Sequence, residues 1–387
     1  MMAPFLFSLR SVIRSRFRIR HGCAMRHVLI ALAGLVVAVQ AGAQSAQQGK
    51  KKKAKSEFPA QTDLHPHEAA KLFREDSVLR LTITANFSRL EHDRIGKSPW
   101  RQARIAYTND SGRTLDLPVR LRTRGIWRLK ECDLPPLRLN FVKDSVKHTI
   151  FAKLDKPKLV THCRNNKTGD QLILAEFQLY RAYNLLTPYS HRVRLAHVVY
   201  ADSGSGKVET SRYAFLEEEP EAVADRVGGI LVQQQGATAS DLVPSATALF
   251  YIFQYFIGNT DWSVAALHNV ELITSDTLHI PVPYDFDFSG AVNAPYATVD
   301  PHLSIRRVRD RLYRGYCQPD ELFPPVFELF RAKRDSIYAL YRDPIGRLLD
   351  ADRAKETLEY FDDFYKTIND PREAAKQIRD NCLRRNP

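Results

Sequence analysis

Oxygen-bearing side chains crowd one stretch of this chain. Asp261 stands in Gly258-Asn259-Thr260-Asp261-Trp262-Ser263, and the pair His268-Asn269 follows, with Asn269 eight residues beyond Asp261. Further on, Pro283-Tyr284-Asp285-Phe286-Asp287-Phe288-Ser289-Gly290 presents two carboxylates two residues apart. In an extended segment that spacing points both to the same side. Such hard oxygen donors suit Mg2+ or Mn2+, whose role would be to bridge phosphate oxygens and neutralise developing charge. Phosphoryl transfer asks for a carboxylate near the attacking hydroxyl, an amide and a carboxylate on the metal, and a cation on the phosphates. Asp261, Asn269, Asp285 and Asp287 occur in that order. Residues of these types also build ordinary turns. Two acidic clusters embedded among aromatic and apolar residues are nevertheless costly to fold unless they bind something.

The elements that must position these groups are legible from hydrophobic period. Leu79, Leu81 and Ile83 alternate with polar residues, and similar alternation recurs around 119–124, 137–141, 193–200 and 212–216, so the first half is strand-rich. Helical spacing of Leu172, Phe177, Tyr180 and Tyr183 predicts a helix over 170–186. The second half is mainly helical, with an apolar run at 246–257 ended by Gly258 and later helices near 322–341, 351–366 and 373–383. Between them, 270–274 and 278–283 flank Ser275-Asp276-Thr277 and predict a small hairpin whose ends carry the acidic residues. The domain reading is 65–235 for the strand-rich part with one helix and 236–387 for the helical part.

Val28–Val39 is an apolar run preceded by Arg26 and followed by Ala41-Gly42-Ala43, the order of a secretory signal over 1–43, with Met25 as an alternative start. Residues 44–64 read as a basic flexible linker. The formal charge is +13, but eleven of the Lys and Arg lie before the first acid, Glu57, which leaves only +2 on the rest. That near balance removes the electrostatic footprint of a nucleic-acid-binding domain and makes nucleic acid an unexpected partner. Weak contact of the linker with a membrane surface is a further expectation. Cys132, Cys163, Cys317 and Cys382 follow the signal, and an exported protein, periplasmic or extracellular, pairs its cysteines by default; three connectivities are open. Their spacing is not that of a zinc site.

The order of motifs resembles the CotH family of secreted and spore-coat kinase-like proteins. The resemblance covers roughly 119–290. It rests on Arg122-Thr123-Arg124-Gly125, on the basic strand Pro136-Leu137-Arg138-Leu139-Asn140-Phe141, on the helix over 170–186, and on Tyr213-Ala214-Phe215-Leu216-Glu217-Glu218. The Asp261 loop with His268-Asn269 and the Pro283-Tyr284-Asp285-Phe286-Asp287 turn complete it. It implies an α+β, two-lobed atypical protein-kinase-like fold with a strand-rich first lobe and a mainly helical second lobe. It also implies binding of ATP or another nucleotide with Mg2+ or Mn2+, and transfer of phosphate to a protein or small-molecule acceptor. Asp261 would be the catalytic carboxylate, Asn269, Asp285 and Asp287 the metal ligands, Arg138 the phosphate-facing cation and Glu176 the group that orients it. Ordinary protein kinases carry Lys where Arg138 stands and separate the loop Asp from the Asn by five residues rather than eight. A non-catalytic envelope binding or assembly module is the alternative. Metal-dependent glycosyl transfer through Asp285-Phe286-Asp287 would want an alternating α/β layout that the order of elements does not offer. His268 reads as a supporting residue, and Arg122 with Arg124 fit an ion-paired surface or a phosphate clamp equally well.

Overall fold

The computed structural model describes residues 68–94, 98–274 and 276–384. The proposed signal segment over 1–43 and the linker over 44–64 lie outside them. Seven strands form a closed barrel in the order β1-β2-β3-β4-β5-β7-β6: β1 (Leu79–Ala85), β2 (Arg101–Thr108), β3 (Thr114–Thr123), β4 (Leu137–Phe141), β5 (Lys158–Thr161), β6 (Val193–Asp202) and β7 (Val208–Glu217). Neighbours are antiparallel except at the seam, where β1 runs parallel to β6 with Leu79 opposite Ala196 and Ala85 opposite Asp202. Alternate residues point inward, and Leu81, Ile83, Ile105, Leu121, Leu139, Leu159, Val198 and Leu216 fill the interior.

Short helices decorate the barrel: α1 (Phe87–His92), α2 (Trp127–Glu131) and α3 (Lys143–Val146). The long helix α4 (Lys167–Leu186) begins three residues before the predicted start, because the Asn166 side chain accepts from the Gly169 amide and caps it. Gly169 is required there, since a Cβ would lie 1.9 Å from the Arg164 carbonyl oxygen. Next come α5 (Pro220–Arg226), β8 (Ile230–Val232) and α6 (Pro244–Ile257). The hairpin β9 (Val270–Thr274) and β10 (His279–Pro283) forms as its sequence predicts, and β8 adds a third strand to it. Helices α7 (Phe323–Ala339) and α8 (Ala351–Asn369) follow, but the last predicted helix shrinks to α9 (Pro371–Ala374) and one π turn over Ala375–Arg379.

The kinase-like two-lobed expectation is corrected here. The strand set is a closed mixed barrel instead of a separate strand lobe. Moreover, α4, assigned to the first lobe, shares one hydrophobic core with α6, α7, α8 and the outer face of β5, β6 and β7. Fourteen of the twenty residues of α4 are buried, so it is a central helix with core on most of its circumference. Its period shows that it is a helix but not how many partners surround it, and the β1–β6 seam joins segments more than a hundred residues apart, beyond any local pattern. Disulfides join Cys132 to Cys163 and Cys317 to Cys382, as is consistent with export. Among the described residues no helix is long and apolar enough to cross a membrane.

Candidate functional site

Helix α6 is apolar along its length and stops at Gly258, whose left-handed φ of 65° places a bare Cα where a Cβ would meet the Tyr360 hydroxyl at 1.9 Å. The chain emerging from this stop carries Asp261. Its Oδ1 lies 2.8 Å from His268 Nε2, and Asn269 Nδ2 donates to the Asp261 carbonyl at 2.8 Å and to Oδ2 at 3.1 Å. Asn269 has φ 55° at the start of β9, so the hairpin presses the two residues together. His268 therefore supports Asp261, which also raises the imidazole pKa through this hydrogen bond.

At the far end of the hairpin Asp285 adopts φ 61°, a conformation disfavoured for a residue with a Cβ. Its amide donates to the Tyr180 hydroxyl at 2.8 Å, which anchors the turn to α4. Asp287, two residues on, is buried and accepts from the Tyr296 hydroxyl at 3.1 Å, with Arg128 Nη1 of α2 at 4.0 Å. One turn before Tyr180 on α4 sits Glu176, 1% exposed, whose Oε1 has no hydrogen-bond partner among the described residues. Burial, then Asp287 and Asp285, hold the Glu176 carboxyl well above its ordinary range. Burial and Asp285 likewise push Asp287 up to about 7 against the pull of Arg128. Arg128 is the nearby counter-charge: burial disfavours its ionised form, but Tyr296, Asp287, Glu176 and Asp285 outweigh that and raise its pKa. Three carboxylates thus share one guanidinium, a deficit of positive charge that a proton or a metal cation relieves.

The residues fit Mg2+ or Mn2+ in a particular sense. The donors are hard oxygens, and Glu176 Oε1 is a buried acceptor without a donor. Among the described residues, however, no three His, Cys, Asp or Glu side chains form a ready-made metal cage. Magnesium is commonly held by one or two carboxylates with phosphate oxygens and water completing the shell, so Asp285, Asp287 and the Asn269 side-chain oxygen would supply the protein's share.

A basic face adjoins this acidic one. Arg122 of β3, Arg138 of β4, Lys158 of β5 and Glu217 of β7 are successive cross-strand partners and therefore project from the same, outer side of the barrel. Lys158 Nζ lies 2.6 Å from Glu217 Oε1 and 4.1 Å from the centre of the Tyr284 ring, next to Asp285. Burial would raise the Glu217 pKa, but Lys158, His191 and Arg124 together hold it low. Arg122, Arg124 and Arg138 are half-buried, and none has a carboxylate within ion-pairing distance among the described residues. The Nε atoms of Arg124 and Arg138 are buried without a hydrogen-bond partner. Burial first, then Arg124 and Arg122, lower the Arg138 pKa, while Glu217 and Glu219 oppose the shift. Of the two readings left open for Arg122 and Arg124, the ion-paired surface is not realised.

The fold thus brings Asp261, Asn269, Asp285, Asp287 and Glu176 into one electrostatic neighbourhood. It does not pair Glu176 with Arg138: Arg128 is the cation beside Glu176, and Arg138 faces Glu217 and Glu219. Sequence reasoning assigned no role to Arg128, Lys158, Glu217, Tyr180 or Tyr296. Glu217 was visible as an acid closing an apolar strand. Lys158 stands in a four-residue strand that is buried throughout and has no alternation to betray it. No protein-family model matches the chain and no curated protein matches it, so the likeness to the CotH family rests on the motifs quoted above.

Proposed function

We propose that this is an exported protein that binds ATP or another nucleotide together with Mg2+ or Mn2+ and transfers phosphate to a protein or small-molecule acceptor. The observation that carries the reading is the juxtaposition of a carboxylate cluster short of positive charge with three half-buried arginines short of negative charge. They meet through the Lys158–Glu217 pair. A metal-bridged polyphosphate offers both missing charges in one ligand. The order of CotH-like motifs supports the same chemistry independently of the fold it implied.

Bound in this way, the metal would neutralise charge on the transferring phosphoryl group. Asp285, Asp287 and Asn269 would hold it, Arg138 with Arg124 and Arg122 would bind phosphate oxygens, and Lys158 would bring its ammonium to their edge. Asp261, oriented by His268 and Asn269, would accept the proton of the acceptor hydroxyl. The signal-like segment and the two disulfides support export.

Thermal unfolding with Mg2+-ADP and Mn2+-ADP tests the reading. Ligand at a hundred times its dissociation constant stabilises by about 2.7 kcal/mol. Absence of any nucleotide- and metal-dependent rise in melting temperature sinks it. A second reading, binding without transfer, draws on one observation: both Asp261 oxygens are already engaged, by His268 and by Asn269. Label transfer from γ-labelled ATP that is lost in Asp261→Asn favours the enzyme, and binding with no transfer in the unaltered protein favours the module.

A further inference from the structure

A second polar site lies at the end of the barrel beside the Cys132–Cys163 bridge. A cleft of about 350 Å³ opens there, bounded by Phe87 and Glu91 of α1, Asp133, His162, Tyr200 of β6 and Glu209 of β7. His162 is 0% and Tyr200 1% exposed, their rings 5.9 Å apart. Neither ring nitrogen of His162 nor the Tyr200 hydroxyl has a hydrogen-bond partner among the described residues. Each unsatisfied buried polar atom costs about 1–3 kcal/mol, and here three of them belong to two neighbouring residues that border the cleft.

The chemistry of the cleft is asymmetric. Its inner wall offers groups that both donate and accept. Burial, reinforced by Arg212 and Arg128, lowers the His162 pKa to about 4, so near neutral pH the imidazole is uncharged, with one donor and one acceptor nitrogen. The Tyr200 hydroxyl can also donate or accept. The mouth is acidic: Glu91, Asp133 and Glu209 are exposed there. Asp133 is already engaged by Arg164 at 3.3 Å and by the Asn165 amide at 2.8 Å, whereas neither Glu91 nor Glu209 has an ion-pair partner among the described residues. Phe87 and Tyr200, edge-on with ring centres 5.8 Å apart, are the aromatic residues of the lining besides His162.

We propose that this cleft binds a small hydroxylated amine, its hydroxyl between His162 and Tyr200 and its ammonium at the Glu91–Glu209 rim. A hydroxyl answers the orphaned donors and acceptors, and a cation answers Glu91 and Glu209, the rim acids that have no ion pair among the described residues. An anion meets the unpaired carboxylates of Glu91 and Glu209, and a plain hydrocarbon leaves three buried polar atoms unsatisfied. The site shares no residue with the acidic centre and stands or falls separately from the phosphate chemistry.

Ethanolamine is the probe, with ethylene glycol and ethylamine as its two halves. The whole chain labelled at histidine is titrated near pH 7.5, following the His162 ring resonance, which is assigned by its absence in His162→Phe. A saturable shift with ethanolamine is expected, with affinity about five- to tenfold above either half. Tyr200→Phe loses about the same factor without a lowered melting temperature, because it removes an unsatisfied hydroxyl. Glu91→Gln with Glu209→Gln, both on the exposed rim, weakens ethanolamine and leaves ethylene glycol unchanged. The proposal is overturned by no saturable shift, by equal affinity for ethylene glycol, which is the result expected of a cleft that holds only water, or by a rim double variant that binds ethanolamine as tightly as the parent.

Discussion

Glu217 and Glu218 are consecutive, both 1% exposed, and each is paired with a buried cation, yet their surroundings differ. Glu218 is saturated. Arg226 donates to its two oxygens at 3.0 and 2.9 Å, the Arg192 amide adds 3.0 Å, and Arg226 spends its other donors on the Pro188 and Ser190 carbonyls. Glu217 meets Lys158 at 2.6 Å and His191 at 3.6 Å, and beyond them lie the surplus acids of one cluster and the unpaired arginines of the other. A closed pair of the first kind locks α5 to the barrel's edge. The open arrangement around Glu217 leaves charge unmatched on both sides, which is the condition for a site. Two adjacent glutamates are alike in the sequence, and only their neighbours separate scaffold from chemistry.

The largest effect should come from opening the closed pair. Arg226→Met strands Glu218 without its guanidinium and should cost about 3–5 kcal/mol in urea unfolding, with nucleotide binding per folded molecule unchanged. If that variant is as stable as the parent, the distinction between the two glutamates fails.

Asp287 comes next, through pH. Its carboxyl is held at about 7 in the fold against 3.8 for the ordinary group. It therefore stabilises the protein while protonated, below about pH 4, and that contribution is lost as pH rises towards 7. Relative to Asp287→Asn, the metal-free parent should lose on the order of 1.4 kcal/mol per pH unit across that window, measured by denaturant unfolding at fixed ionic strength. Added Mn2+ should flatten the slope in the parent alone. A slope of the opposite sign is incompatible with a carboxylate cluster short of positive charge.

Lys158→Met should cost less than Arg226→Met, about 1–3 kcal/mol, because His191 and Arg124 still face Glu217. Any nucleotide-dependent stabilisation should disappear with it. Equal losses for the two variants would mean that Lys158–Glu217 is also a closed structural pair. Arg138→Gln should be the mildest for folding, within about 0.5 kcal/mol or slightly stabilising, since it relieves repulsion from Arg122 and Arg124. It should still weaken phosphate-bearing ligands, which makes it the sharpest separation of binding from stability.

Much of the candidate site was legible because its residues lie close together in the chain. Asp261 and Asn269 are linked by a short loop, and the Asp285–Asp287 turn is one hairpin away, so local spacing already placed them together. Helix α6 and strands β4, β9 and β10 were readable for the same reason: their period is short and their stops, Gly258 above all, are local. The partners that give the acids their character were not. Arg128 comes from α2, Lys158 from β5 and Glu176 from α4, and nothing about a lone Arg, Lys or Glu declares which distant carboxylate it will meet. Arg138 was singled out, but its neighbours are Glu217 and Glu219 rather than the expected Glu176.

Residue type and short-range order thus determined the acidic hairpin, the helical and strand periods, the near-balanced charge beyond the basic tail and the expectation of paired cysteines. Tertiary structure decided the barrel's closure, the cysteine partners, the burial of α4 and the contrast between Glu217 and Glu218. The physical reason is range. Period, turn and cap are set by backbone geometry over a few residues, whereas strand closure, desolvation and charge pairing depend on groups brought together only after the chain has folded.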